Sequence, residues 1–410
     1  FALLIMNKIQ ASNPFFEIYS TPHGTVPFNL IKTEHYAPAI HEGIRRQNGE
    51  IDAIINNPDA PTFENTIVPY EKSGELLHRV NTVFGNLLSA ETDDELQELA
   101  REIMPLMSEH ENNISLNEKL FARIKTVYEL ADKAKLTPEQ SKLLEDIYTG
   151  FVRNGANLQG DAKEQYRNLC KELSLLTLQF SENTLKETND YRLVLTEKSQ
   201  LSGLPESAID AAAETAQEKG VEGWVFTLHA PSYSPFMTYA DNRDLRRELY
   251  MAYNTKCTHD NACNNLEIVK KIANIHMEIA RLLGYDNFAE YNLKERMAQN
   301  SDTVYKLLNQ LLEAYTPTAQ KEYDEVQALA RSEEGADFIL MPWDWSYYSQ
   351  KLKDRKFSIN DEMLRPYFEL SKVKEGVFGL ASKLYGITFK KNADIPVYHK
   401  DVEAYEVFDK

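Results

Sequence analysis

Apolar residues recur every three or four positions through most of this chain, and the stripe they draw predicts helix after helix from Thr33 to Asp190. Between Gly160 and Asp190 the stripe is Tyr166, Leu169, Cys170, Leu173, Leu176, Thr177 and Phe180. Thr137-Pro138-Glu139-Gln140 predicts a helix start with a mechanism. Thr137 caps, Pro138 occupies the first turn where its missing N–H costs nothing, and Gln140 closes a capping box. No fixed period repeats, so these helices are expected to pack as a bundle or a solenoid-like wall and not as a repeat array.

The texture then changes. Tyr191–Thr196 and Trp224–Leu228 have strand character, with a helix expected from Pro205 to Lys219 between them. Pro231 and Pro235 predict an irregular stretch. The expected organisation is a leader or disordered segment over 1–12, a helical domain over 13–228 and a second unit over 229–410. Helices resume over 241–254 and 264–283. The second of these turns Leu266, Ile268, Ile272, Ile275, Ile279 and Leu282 inward and ends at Gly284. Further helices are expected at 301–331, 344–354 and 366–385, and short strands at 387–390 and 402–408. The fold class is mainly α with a few short strands.

With 42% hydrophobic and 26% charged residues, the 410-residue chain has the composition of a globular protein. Its 16 glycines favour long helices over a turn-rich β architecture. A net charge of −18, without a long basic cluster, disfavours nucleic acid as a partner. No apolar run reaches the ~18 residues of a bilayer span, so no membrane partner is expected. Cys170, Cys257 and Cys263 are too few and odd in number for a closed disulfide set, which suits a reducing compartment such as the cytoplasm. Phe1–Met6 is open to two readings, stray sequence before a start at Met6 or the remnant of a signal peptide, the latter implying the periplasm.

Metal-assisted peptide hydrolysis would need two imidazoles one helical turn apart with a carboxylate beside the first, the H-E-x-x-H spacing. Only two His-Glu pairs occur: His41-Glu42 has Arg45 at the second ligand position, and His110-Glu111 has Ile114. Cys257, His259 and Cys263, with His276 as a conceivable fourth donor, have ligand-like spacing, but the favoured reading is two cysteines beside a polar histidine. No nucleophile elbow or phosphate-binding glycine loop is present. Glu333-Glu334 could form an acid–base dyad, though a solvated helix end is favoured. His399 is read as a loop hydrogen-bonding group in preference to a substrate contact. Trp343, Trp345, Tyr347 and Tyr348 could line a peptide groove, but core packing is favoured, together with Tyr367 and Phe368.

The order of short blocks late in the chain carries more information than any one of them. Met341-Pro342-Trp343-Asp344-Trp345, Leu364-Arg365-Pro366-Tyr367-Phe368-Glu369-Leu370, Pro396-Val397-Tyr398-His399 and Tyr405-Glu406-Val407-Phe408 follow Arg281-Leu282-Leu283-Gly284-Tyr285 and Arg296-Met297-Ala298. This order resembles bacterial peptidyl-dipeptidases of the thimet oligopeptidase and neurolysin family of zinc peptidases, and the likeness extends from Asn13 to Lys410.

The resemblance implies a mostly helical, clam-like body with a deep channel, and release of C-terminal dipeptides from short peptides with a free C-terminus. It implies zinc in the full-length enzyme, held by H-E-x-x-H and a later Glu. Those elements lie beyond Lys410 in the family pattern, so no catalytic or metal-binding residue is transferred to this sequence. The chain is expected to be the N-terminal part of such an enzyme, with 229–410 an incomplete peptidase domain, binding no zinc and inactive alone. Its last strand is expected to lack its partner, and bare apolar faces to promote self-association. The alternative is a non-catalytic helical peptide-binding or scaffold protein.

Overall fold

The computed structural model describes residues 13–132, 135–358 and 361–409. The leader expected over 1–12 lies outside them. Seven helices follow one another from Tyr36: α1 (Tyr36–Ile55), α2 (Val68–Lys72), α3 (Glu75–Ala90), α4 (Asp94–Ser115), α5 (Glu118–Leu130), α6 (Pro138–Arg153) and α7 (Asp161–Asp190). Strand β1 (Leu193–Leu195), α8 (Glu206–Glu218) and β2 (Trp224–Phe226) come next, then α9 (Ala230–Tyr239), α10 (Arg243–Asn254), α11 (Leu266–Leu282) and α12 (Phe288–Leu293). The remainder is α13 (Ser301–Glu334), α14 (Trp345–Phe357), α15 (Asp361–Leu364), α16 (Leu370–Tyr385), β3 (Thr388–Lys391) and β4 (Tyr405–Phe408). The mainly helical class with few short strands is as the sequence predicts.

Contacts divide the chain into two units. One comprises Phe1–Leu178, Asn274–Asn287 and Phe378–Lys410; the other comprises Gln179–Ala273 and Phe288–Val377. In the first, α1 and α3 pack closely because Gly43 has no side chain: a Cβ there would lie 2.9 Å from the Leu77 Cα. Phe15, Tyr36, Ile40, Val80, Phe84 and Ile103 fill the adjoining core. A second core gathers Ile67, Leu120, Ile124, Leu144 and Phe151, flanked by Tyr128 and Tyr148 stacked 3.9 Å apart. Tyr166 and Leu169 of the α7 stripe bury against Ile275 and Ile279 of α11, whereas Thr177 and Phe180 at its far end are exposed.

The capping box forms as the sequence predicts, with the Gln140 amide donating to Thr137 Oγ1 at 3.2 Å and the Thr137 amide donating to Gln140 Oε1 at 3.0 Å. Thr137→Ala removes one of these bonds and is expected to cost about 1 kcal/mol, read as a small fall in denaturation midpoint. Helix α11 stops at Gly284, whose φ of +85° allows the Tyr285 amide to reach back to the Ala280 carbonyl at 2.9 Å. Leu266, expected inward, begins the helix and is exposed.

Two further expectations are corrected. Pro231 and Pro235 do not break the chain but lie in α9. Pro231 sits in the first turn, where no intrahelical donor is needed, and Pro235 one turn later forfeits a single helical bond. Strand β4 does not lack a partner: it pairs antiparallel with β3 along its length, Thr388 opposite Phe408 and Lys391 opposite Tyr405. Phe378 seals that hairpin, stacking 4.2 Å from Phe389 and meeting Tyr405 edge-on at 5.0 Å. In the second unit β1 pairs antiparallel with β2, and Leu193, Leu195, Phe226, Phe236 and Leu249 form the core around them.

Candidate functional site

The Pro342-Trp343-Asp344-Trp345 block is organised by its carboxylate. Asp344 is fully buried and accepts from Arg243 Nη2 at 2.7 Å, Arg246 Nη2 at 2.9 Å and the Met341 amide at 3.0 Å. Burial alone would push this carboxyl up, but the bonds from Arg243, Met341 and Arg246 outweigh it and hold it below the usual carboxylate range. Arg246 is 1% exposed and spends its other donors on the carbonyls of Ala240 (2.7 Å), Asp241 (3.1 Å) and Trp343 (3.3 Å). Its guanidinium lies 4.0 Å from the Tyr347 ring centre, and Tyr347 Oη donates to Asp241 at 2.7 Å. The block is therefore a clamp that fastens α14 to the start of α10.

The aromatic residues divide accordingly. Tyr347 and Tyr348 are buried and Trp343 packs beside the core around β1 and β2, whereas Trp345 is 41% exposed and stacks on Tyr323 of α13. Tyr367 and Phe368, expected in the core, are exposed; the short 3₁₀ turn Arg365–Tyr367 presents them instead of burying them. Glu333 and Glu334 form no dyad. Glu333 pairs with Lys351 at 2.9 Å and with Arg355, while Glu334 accepts from Tyr348 Oη at 2.9 Å, so both join α13 to α14. His399 accepts from the Asp401 amide within a turn, at 3.3 Å.

The cysteine-rich loop has a different organiser. Cys257 and Cys263 are buried, free thiols, and Cys257 has φ of +58°. Glu187 of α7 holds the loop by accepting from the Cys257 amide and from Asn261 at 2.7 Å. His259 is exposed, with Thr255 beside it at 3.4 Å. Among the described residues no group of three or more His, Cys, Asp or Glu side chains is placed to hold a metal ion. These residues thus do not fit a zinc centre, and no catalytic step is assigned to zinc on them. Of the two His-Glu pairs, Glu42 is taken by Arg45 and Arg46 and held at about 2, and His110 is buried with Nε2 2.8 Å from Gln47 Oε1.

That histidine leads to a feature the sequence did not reveal. A partly open cavity of about 1020 Å³ lies in the first unit, lined by α1, the Tyr70–Gly74 corner, α3, α4 and α7. His110 is 4% exposed, and burial lowers its pKa, leaving a neutral imidazole. Burial likewise raises the Cys170 thiol and pushes the Tyr70 phenol up to about 12. Glu111 touches solvent, yet the protein surrounding it raises its carboxyl above the usual range. The only sequence signal was the His110-Glu111 pair itself.

A third feature is a bare helix face. Leu308, Leu311 and Leu312 lie about five turns before Val326, Leu329 and Ala330, on the same stripe of α13. Val326 and Ala330 are buried against Leu340, Tyr347 and Tyr348, and Leu329, beside them in sequence, is buried too. Every residue from 305 to 324 is exposed, Leu312 and Tyr315 by about two thirds (67% and 65%). Among the described residues no helix is long and apolar enough to cross a membrane.

Residues 236–410, which hold the clamp and this stripe, match the model of peptidase family M3. Dipeptidyl carboxypeptidase of Escherichia coli (strain K12) is 35% identical over 97% of this chain. Oligopeptidase A of the same organism is 34% identical over 95%, and saccharolysin of Saccharomyces cerevisiae 25% over 88%. The chain spans 58% of the length of the first two and 53% of the third. Sequence similarity to these relatives thus runs almost end to end, and the part of the chain that holds the clamp and the stripe matches peptidase family M3.

Proposed function

We propose that these 410 residues form the helical, non-metal-binding part of a peptidase that removes C-terminal dipeptides from short peptides, and that alone they do not cleave peptide bonds. The observation that carries this reading is the 35% identity with a dipeptidyl carboxypeptidase across 97% of the chain, in a sequence that contains no H-E-x-x-H. A zinc ion held in such an enzyme would supply Lewis-acid chemistry at the scissile bond. Its ligands would come from outside these residues. What this chain contributes is architecture. The Asp344 clamp fixes α14 and leaves Trp345 able to meet a peptide, and the α13 stripe offers a face for the remainder of the enzyme. The free thiols favour a cytoplasmic setting.

Two measurements test this. The 410-residue chain, incubated with zinc and a short free-carboxylate peptide, is expected to release no dipeptide and to retain no stoichiometric zinc by elemental analysis. Chelator-sensitive release would sink the inactivity. The reading frame past the Lys410 codon is expected to continue into H-E-x-x-H, and its full product to release dipeptides from free but not amidated peptides. Cleavage of both alike would place it instead with the endopeptidases, and a stop codon after Lys410 would favour a non-catalytic scaffold.

A further inference from the structure

The large cavity of the first unit has room, polarity and charge that no part of the peptidase reading uses. Its volume of about 1020 Å³ is at the upper end of ligand-sized pockets. Three carboxylates, Glu71, Glu75 and Glu111, face a single ammonium, Lys72, so its field is negative. The buried imidazole of His110 is neutral and tied to Gln47, and Gln47 in turn donates to Ser73 at 3.3 Å, so these groups form a fixed polar wall and not a counter-charge. Leu77, Met107 and Ile114 supply an apolar strip beside that wall, and Tyr70 and Tyr166 supply aromatic surface. Among the described residues Glu111 has no cationic partner of its own. An anion would meet like charge here, and a purely apolar ligand would strand the polar wall without hydrogen bonds.

We propose that this cavity binds an organic cation with an aliphatic stem and an ammonium or guanidinium head, the head on the Glu111 carboxylate and the stem along Leu77, Met107 and Ile114. The same chemistry is carried by a free polyamine and by the basic side chain of a peptide. The site uses neither the Asp344 clamp nor the α13 stripe, and its lining lies outside residues 236–410.

Isothermal titration calorimetry of the 410-residue chain with spermidine, and separately with the blocked peptide acetyl-Gly-Lys-Gly-amide, tests it. At least one probe is expected to bind at one site, with affinity about tenfold weaker in Glu111→Gln, the loss typical of a charge-assisted hydrogen bond. Glu172→Gln, at an exposed position outside the cavity, is expected to bind as the parent does. Glu75→Gln is the second variant should Glu111→Gln unfold, and thermal melts of each establish that. Binding of spermidine alone points to a polyamine, and binding of the peptide to a basic side chain. No binding of either probe at millimolar concentration, or equal affinity in the parent and the folded carboxylate variants, overturns the proposal.

Discussion

Replacing Asp344 with alanine is expected to cost on the order of 3–5 kcal/mol, the largest single-residue loss in the chain, because it leaves a buried guanidinium without its counter-charge. Arg246, 1% exposed, would keep its three carbonyl acceptors but lose the carboxylate it is hydrogen-bonded to. Arg243 is far less buried and would turn to water. Equilibrium urea denaturation measures the loss. The double variant Asp344→Leu with Arg246→Met is expected to recover much of it, since removing both members of a buried pair is far cheaper than stranding one. A loss below about 1 kcal/mol for Asp344→Ala would mean that the clamp is incidental. The pH dependence has a definite sign. The folded carboxyl is held below its unfolded value of about 3.9, so its contribution is fully present above that pH and disappears as pH falls through the depressed folded value. Asp344→Asn is therefore expected to flatten the acid limb of the stability profile.

How much of this was legible in the sequence depended on the range of the interaction. The Thr137 box and the Gly284 stop are set by residues within a few positions of one another, and both could be read directly. Proline at 231 and 235 misled because proline disfavours a helix interior, whereas the structure places one ring in the first turn and tolerates the other. The Trp-Asp-Trp block was read through its rings. Its organising residue is the aspartate, whose partners Arg243 and Arg246 lie about a hundred positions earlier, and nothing in local spacing joins them. The cavity was illegible for the same reason, since its wall is assembled from five separated segments. A helix was expected over 301–331, but a covered stripe and a bare one read identically in sequence.

That bare stripe sets the second large effect, because in a pure solution of this chain a second copy is at hand to cover α13. Leu307, Leu308, Leu311, Leu312 and Tyr315 are all exposed on a helix whose downstream continuation is buried core. Each such side chain gains about 1.5–3 kcal/mol when fully buried, so pairing two stripes offsets the entropic cost of association even if burial is only partial. Sedimentation velocity is expected to show concentration-dependent self-association at micromolar protein, strengthened by sulfate and weakened by cooling, as apolar contacts require. The double substitution Leu308→Glu with Leu312→Glu is expected to return the chain to monomer without lowering its melting temperature, since neither side chain supports the monomer's own core. A parent chain that stays monomeric on concentration removes the stripe as an adhesive face, and association that survives the double substitution moves the contact elsewhere on the surface. Loss of association together with a lowered melting temperature would instead show that α13 packs within the monomer. The three results separate because exposure in the isolated chain makes stability and association independent at these two positions.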